Sequence, residues 1–209
     1  RSESAARDII RPHRLVRSEA SGTAMSPLDE TSIGLYVHIP FCETKCPYCD
    51  FNTYSGIETL MPDYVPALRS EIGLWGDVLG QREVATVFFG GGTPSYLPEG
   101  EIASLMATVR EGFDLHPDAE VTLEANPGDF SQGKLDSYLS SGVNRLSIGV
   151  QSFDESLLEV LGRRHSSTEA VGAYRMACVA GFENVSIDLM YGLPHQTVEQ
   201  WQSTLTVAG

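Results

Sequence analysis

Residues 34–51 read GLYVHIPFCETKCPYCDF, a short run rich in β-branched and aromatic residues that feeds three cysteines spaced C-x3-C-x2-C. The run predicts a strand, with the cysteines on the loop at its C-terminal end. Parallel α/β folds place their chemistry at that edge. Three thiolates on one loop can wrap three corners of an iron–sulfur cubane, whereas such clusters are ordinarily held by four Cys. Three ligands leave one iron open, and an open position marks a reactive metal rather than a structural one. Structural zinc is the alternative, but zinc wants four closed ligands, usually in paired C-x2-C knuckles. The fourth cysteine, Cys178, falls in a predicted helix on an apolar stripe with Val171, Tyr174 and Ala177, and reads as a buried apolar residue. His38 is the other donor on offer for zinc, but it precedes Cys42 on the strand. A disulfide framework would spread its cysteines between elements, so this tight cluster argues for a metal site in a reducing compartment.

Working outward, strands alternate with helices from about residue 32. Strand candidates are 34–40, 84–90, 119–125, 145–151 and 184–190, several of them nearly continuously apolar, as parallel strands buried on both faces should be. Between them, 63–79 carries Val65, Leu68, Ile72, Trp75 and Leu79 on one face, and 99–111 carries Ile102, Leu105, Met106 and Val109. A helix over 134–141 stops before Gly142, a left-handed cap. A short helix near 154–161 precedes one over 167–180, which Ser166 and Glu169 open as a capping box and Gly181 closes. Thr197 and Gln200 form a second box at the last helix. The order βαβαβαβααβα predicts an α/β fold with a parallel sheet. Five βα units do not close an eight-stranded barrel, so a partial TIM-type (β/α) barrel, truncated after about five units, is expected.

Charge excludes some functions. The 209 residues carry a net charge of −14, with no basic stripe for a phosphate backbone or an anionic membrane surface. No apolar run reaches membrane-spanning length. Residues 1–32 read as a disordered or non-native extension before a core domain at 33–209. The first 25 contain five Arg and three acids, so a transit peptide is the alternative there.

The three cysteines do not stand alone. LYVHIPFC and CPYCDF are followed in order by FFGGGTPS, LEANP, GVQSF and IDLMYGLP. Together these resemble the radical S-adenosylmethionine (SAM) superfamily and, within it, the oxygen-independent coproporphyrinogen III oxidase family, most nearly its heme chaperone (HemW) branch. The resemblance covers residues 33–209. It implies a [4Fe–4S] cluster on Cys42, Cys46 and Cys49, with SAM chelating the open iron. It implies SAM contacts from Tyr36, Tyr48, Gly91, Gly92, Thr93, Glu124, Gln151, Arg163 and Asp188. Gly91 to Thr93 would hold the methionine amino group, Asp188 the ribose hydroxyls and Arg163 the SAM carboxylate. It further implies heme as cargo, heme-acceptor proteins as partners, an electron donor such as flavodoxin or ferredoxin, and a cytoplasmic location.

Taken as residues only, GGGTP at 90–94 also reads as a chain-reversing turn, Glu124 and Asp188 as buried structural pairs, and Arg164 as a solvated side chain. His38, His165 and His195 read as structural or loop histidines. One departure matters. The porphyrinogen oxidases carry a fourth cysteine two residues after the third, and here that position is Phe51. Three functions follow: a heme chaperone, which Phe51 favours; an enzyme decarboxylating coproporphyrinogen III; or a non-catalytic zinc module. The heme-binding region that the resemblance implies lies beyond these residues.

Overall fold

The computed structural model describes residues 32–80 and 82–209; the expected extension over 1–32 lies outside them except for Ser32. Five strands form one sheet: β1 (Ile33–Ile39), β2 (Glu83–Gly91), β3 (Asp114–Ala125), β4 (Arg145–Gln151) and β5 (Asn184–Leu189). They pair in chain order, every pairing parallel. Helices α1 (Met61–Leu79), α2 (Glu101–Gly112), α3 (Gln132–Ser140), α4 (Glu155–Val160), α5 (Ser167–Ala180) and α6 (Val198–Ala208) fill the connections. This is the βα order of a TIM-type barrel carried through five strands.

The strands do not bury both faces. Val37, Ile39, Val87, Phe89, Val121, Leu123, Leu146 and Ile148 point to one side, where they pack with Ile102, Leu105, Met106, Val109, Leu135 and Tyr138 of the helices. The opposite face presents Tyr36 and His38 from β1, Glu120, Thr122 and Glu124 from β3, Arg145 and Ser147 from β4, and Ser186 and Asp188 from β5. The expectation of strands buried on both faces is corrected for a physical reason: among the described residues helices cover only one side, and the other is lined mostly with polar groups, of which Thr122 alone is fully buried. A period-2 alternation is present in the sequence, but the apolar runs mask it.

Two helix faces also differ from expectation. In α1 the buried stripe is Met61, Val65, Ile72 and Gly76, while Trp75 and Leu79 are exposed. Gly76 meets Gly112 of α2 so closely that a Cβ there would lie 2.8 Å from the Gly112 carbonyl oxygen. That backbone contact sets the rotation of α1 and turns Trp75 outward. In α5 the buried residues are Ala170, Ala173 and Ala177, and Cys178 is only half-buried, one step around the helix. Both capping boxes form, and Gly142 and Gly181 are left-handed as expected.

Candidate functional site

The cysteine loop leaves β1 through Phe41, which is buried and packs edge-on against Tyr64 of α1 at 5.1 Å. Its two ends are zipped together. The Cys42 amide donates to the Tyr54 carbonyl at 2.9 Å, and the Tyr54 amide donates to the Pro40 carbonyl at 2.8 Å. Inside the loop, the Cys49 amide donates to the Cys46 carbonyl, and Lys45 Nζ donates to the Thr53 carbonyl at 3.1 Å. All three thiols are half-exposed and free of disulfides.

Against this loop stands the turn that ends β2. The Gly92 amide donates to the Ile39 carbonyl at 2.7 Å and the Thr93 amide to the Phe41 carbonyl at 2.8 Å. A Cβ on Gly92 would fall 2.6 Å from the Phe41 carbonyl oxygen, so only glycine permits this approach. Gly91 has φ +114, and its amide donates to Glu124 Oε2 at 3.1 Å. The glycine turn therefore fastens the cysteine loop to β3 and does more than reverse the chain.

The loop, the turn and the ends of β3, β4 and β5 line a cleft open to solvent. Cys42, Cys46, Cys49, Tyr48, Gly91, Gly92, Thr93, Glu124, Gln151, Arg163 and Asp188 all line it. Tyr36 does not. It stands on the same sheet face, 60% exposed, with its hydroxyl 3.0 Å from His38 Nδ1 and its ring stacked on Phe88. Gln151 ends β4 with φ +67, an uncommon left-handed backbone for a non-glycine residue.

The electrostatics divide the cleft. On one wall are acceptors: Glu124, and Asp188, which receives Ser147 Oγ at 3.1 Å. Burial raises the Glu124 pKa and the Asp188 charge raises it further, while the Gly91 amide opposes both. Acceptors in this arrangement suit an ammonium or sugar hydroxyls. The other wall holds the thiols and their donors. Arg163 Nη1 donates to Cys46 Sγ at 3.6 Å, and Nη2 donates to the Gly149 carbonyl and to Asn126 Oδ1. Thr93 Oγ1 donates to Cys42 Sγ at 3.5 Å, and Thr53 Oγ1 lies 3.9 Å from Cys49 Sγ. The Tyr48 phenol beside Cys46 is pushed up to about 12, chiefly by burial.

Asn126, Ser147 and Thr53 were not singled out from the sequence, although Asn126 lies in the quoted LEANP. Nor was Arg164 rightly read as solvated. It binds Glu43 of the cysteine loop and Asp129 Oδ1, the latter at 3.1 Å with the Asp129 side chain only 4% exposed. A salt bridge from α5's approach to the loop is invisible to local pattern. Among the histidines, His165 is buried and donates through Nε2 to the Val150 carbonyl, while His195 sits in a loop with φ +64.

A test of fit to a cluster rests on the donor set. Among the described residues, no three His, Cys, Asp or Glu side chains converge closely enough to hold one metal ion. Among the described residues that line the cleft the thiols number three, with no fourth cysteine and no histidine beside them; a cubane with one open iron fits that donor set, whereas structural zinc wants four closed ligands. A polar atom of Arg163, the buried Nε, also has no hydrogen-bond partner, which marks the cleft wall as built for more than the protein itself.

Comparison with known proteins agrees with this chemistry. The Escherichia coli heme chaperone HemW is 44% identical over 170 residues, covering 80% of this chain and 45% of that protein. The mouse protein named radical S-adenosyl methionine domain-containing protein 1, mitochondrial, is 41% identical over 197 residues, covering 92% of this chain and 44% of that protein. The chain thus spans a little under half the length of these relatives. Among solved structures, the radical SAM enzyme coproporphyrinogen III oxidase (HemN) of Escherichia coli superposes with a TM-score of 0.80 at 36% identity, covering 86% of this chain and 42% of that one. Among the described residues, no helix is long and apolar enough to cross a membrane. The radical SAM superfamily model matches residues 36–208, and the chain belongs to that superfamily, whose members use SAM and a [4Fe–4S] cluster.

Proposed function

We propose that residues 33–209 form a radical SAM core domain serving a heme chaperone, with Cys42, Cys46 and Cys49 as cluster ligands. The observation that carries the reading is the meeting of three free thiols, two acceptor carboxylates and one arginine in a single cleft at the strand ends. When bound, the cluster and SAM supply one-electron cleavage of a sulfonium to a carbon radical. This chain's residues do the rest. Glu124 and Asp188 offer acceptors to the amino group and ribose, and Arg163 offers a cation to the carboxylate. The amides of Gly91, Gly92 and Thr93 are already bonded within the protein, so an ammonium there would meet carbonyl oxygens rather than N–H groups. Tyr48 lines the cleft beside Cys46. Tyr36 stands outside the cleft wall, on the sheet face it shares with Glu124, and is the one SAM contact implied by the resemblance that the cleft lining does not include.

Heme as cargo, heme-acceptor proteins as partners and a flavodoxin- or ferredoxin-type electron donor belong to the whole protein. They are supported by the likeness to proteins named heme chaperones. Phe51 supports the same side: it is 72% exposed and lines the cleft where the oxidases place a further cysteine. The location proposed is cytoplasmic, with the mitochondrial relative making an organelle the alternative. A second reading, oxidative decarboxylation of coproporphyrinogen III, is favoured by the superposition on the Escherichia coli oxidase. The two separate in the full-length protein under anaerobic conditions with SAM and reductant. The chaperone reading predicts heme binding without protoporphyrinogen formation, and multiple-turnover protoporphyrinogen production would overturn it.

A further inference from the structure

Asn126 is the point where the supports of two thiols meet. Its backbone is fixed from both sides. Pro127 holds it extended, and its amide donates to the fully buried Ser95 Oγ at 3.1 Å. Ser95 Oγ in turn donates to Asp129 Oδ2 at 2.8 Å, and Lys134 Nζ holds the Ser95 carbonyl at 2.6 Å. The side chain then faces two partners with opposite demands. Arg163 has only donors, so Asn126 Oδ1 must turn toward it. Nδ2 is thereby turned to Thr93 Oγ1 at 3.3 Å. That amide occupies one acceptor lone pair of Thr93 and leaves its single proton for Cys42 Sγ. On the other side, Arg163 is held with Nη1 on Cys46 Sγ. One amide thus orients two donors, each on a different thiol, through the path Cys42–Thr93–Asn126–Arg163–Cys46.

We infer that Asn126 is a positioning residue that sets the reduction potential of the cluster by aiming the hydroxyl of Thr93 at Cys42 and the guanidinium of Arg163 at Cys46. This rests on the proposed cluster at those cysteines. Donors on cluster sulfurs stabilise the more negative, reduced form and raise the potential, so releasing them lowers it.

The test is a redox titration of the anaerobically reconstituted chain, poised with dithionite and mediators and followed by electron paramagnetic resonance. Iron content and circular dichroism are measured alongside. Asn126→Ala is expected to keep its iron but to shift the one-electron equilibrium about tenfold toward the oxidised form, roughly 59 mV lower. Thr93→Val, which removes only the Cys42 donor, is expected to give a smaller shift. The double variant is expected to shift by less than the sum of the two, because Asn126 acts in part through Thr93. If Asn126→Ala does not fold, Asn126→Ser takes its place with the same expectation. A loaded wild-type chain with unchanged potentials in both single variants overturns the inference and leaves the cluster reading standing. Loss of iron at a wild-type potential also overturns it, assigning Asn126 a purely structural role. Failure of the wild-type chain to take up iron and sulfide sinks the cluster reading itself, and the inference with it.

Discussion

The cleft has two walls of different construction. The strand-end wall hangs its polar groups on β3, β4 and β5, whose register fixes Glu124 beside Ser147 and Gly149 beside Asp188. The cysteine wall is a loop with almost no regular structure, from Phe41 to Tyr54. It keeps its shape through tertiary ties: the glycine turn at its base, Lys45 inside it and Arg164 on Glu43. The difference teaches that the acceptors are placed by the fold, whereas the thiols are placed by a few identifiable contacts. Removing one contact should therefore disturb the loop far more than any single change disturbs the strand ends.

The largest break comes at the base. Gly92→Ala drives a methyl into the Phe41 carbonyl, which backbone cannot yield cheaply. A loss of roughly 1–3 kcal/mol in chemical denaturation is expected, together with failure to assemble iron. Wild-type stability in that variant would show that the turn is not what fastens the loop.

Acid tests the junction between the walls. Burial, then the charge of Arg163, pulls His165 down to about 4, whereas an unfolded histidine titrates near 6.5. A base with a depressed folded pKa binds protons more readily when unfolded. Its contribution is therefore present above about pH 6.5 and lost as pH falls toward 4. Up to about 3 kcal/mol is at stake at full desolvation. His165→Gln should flatten the pH dependence of the unfolding midpoint across that window, and an unchanged slope would remove His165 as its source.

How much of this could be read in advance follows from the range of the interactions. The strands, helix stops and capping boxes are set by neighbours a few residues apart, and they lie close to where patterning places them, except that β3 begins at Asp114, ahead of the apolar run expected from 119. Most of the cleft residues came from motif order. Arg164, Asn126 and the exposed Trp75 did not, because each depends on a partner 33 or more residues away: Glu43, Thr93, and the Gly76–Gly112 contact. Cys178 was misplaced by one helical step for a related reason. Three small residues in α5, not the larger apolar ones, make the close packing.

Smaller effects sharpen the same contrast. Arg164→Ala leaves Asp129 with Ser95 but frees Glu43, and both partners on the loop side are partly exposed. A loss of about 1–2 kcal/mol of global stability is expected, because the buried Asp129 carboxylate loses its cation while keeping Ser95. Hydrogen exchange over residues 43–51 should quicken markedly, with the amides of β3 and β4 unmoved. Equal quickening in both walls would contradict the division between them. Smallest of all, Glu124→Gln should leave neutral-pH stability unchanged or slightly higher. A carboxyl whose folded pKa is raised opposes folding once the unfolded group has ionised, and this opposition disappears only as pH falls back below about 4.5. The glutamine can still accept the Gly91 amide. A loss of stability would mean that the charge of Glu124 is structural.

The most direct test of the central claim is metal analysis of the chain after anaerobic reconstitution with iron, sulfide and zinc offered together. The account predicts about four iron and four sulfide per chain, lost when Cys46 is replaced by Ser, and an electron paramagnetic resonance spectrum of the reduced cluster that changes on adding SAM. One zinc per chain, with neither iron nor sulfide, would contradict it.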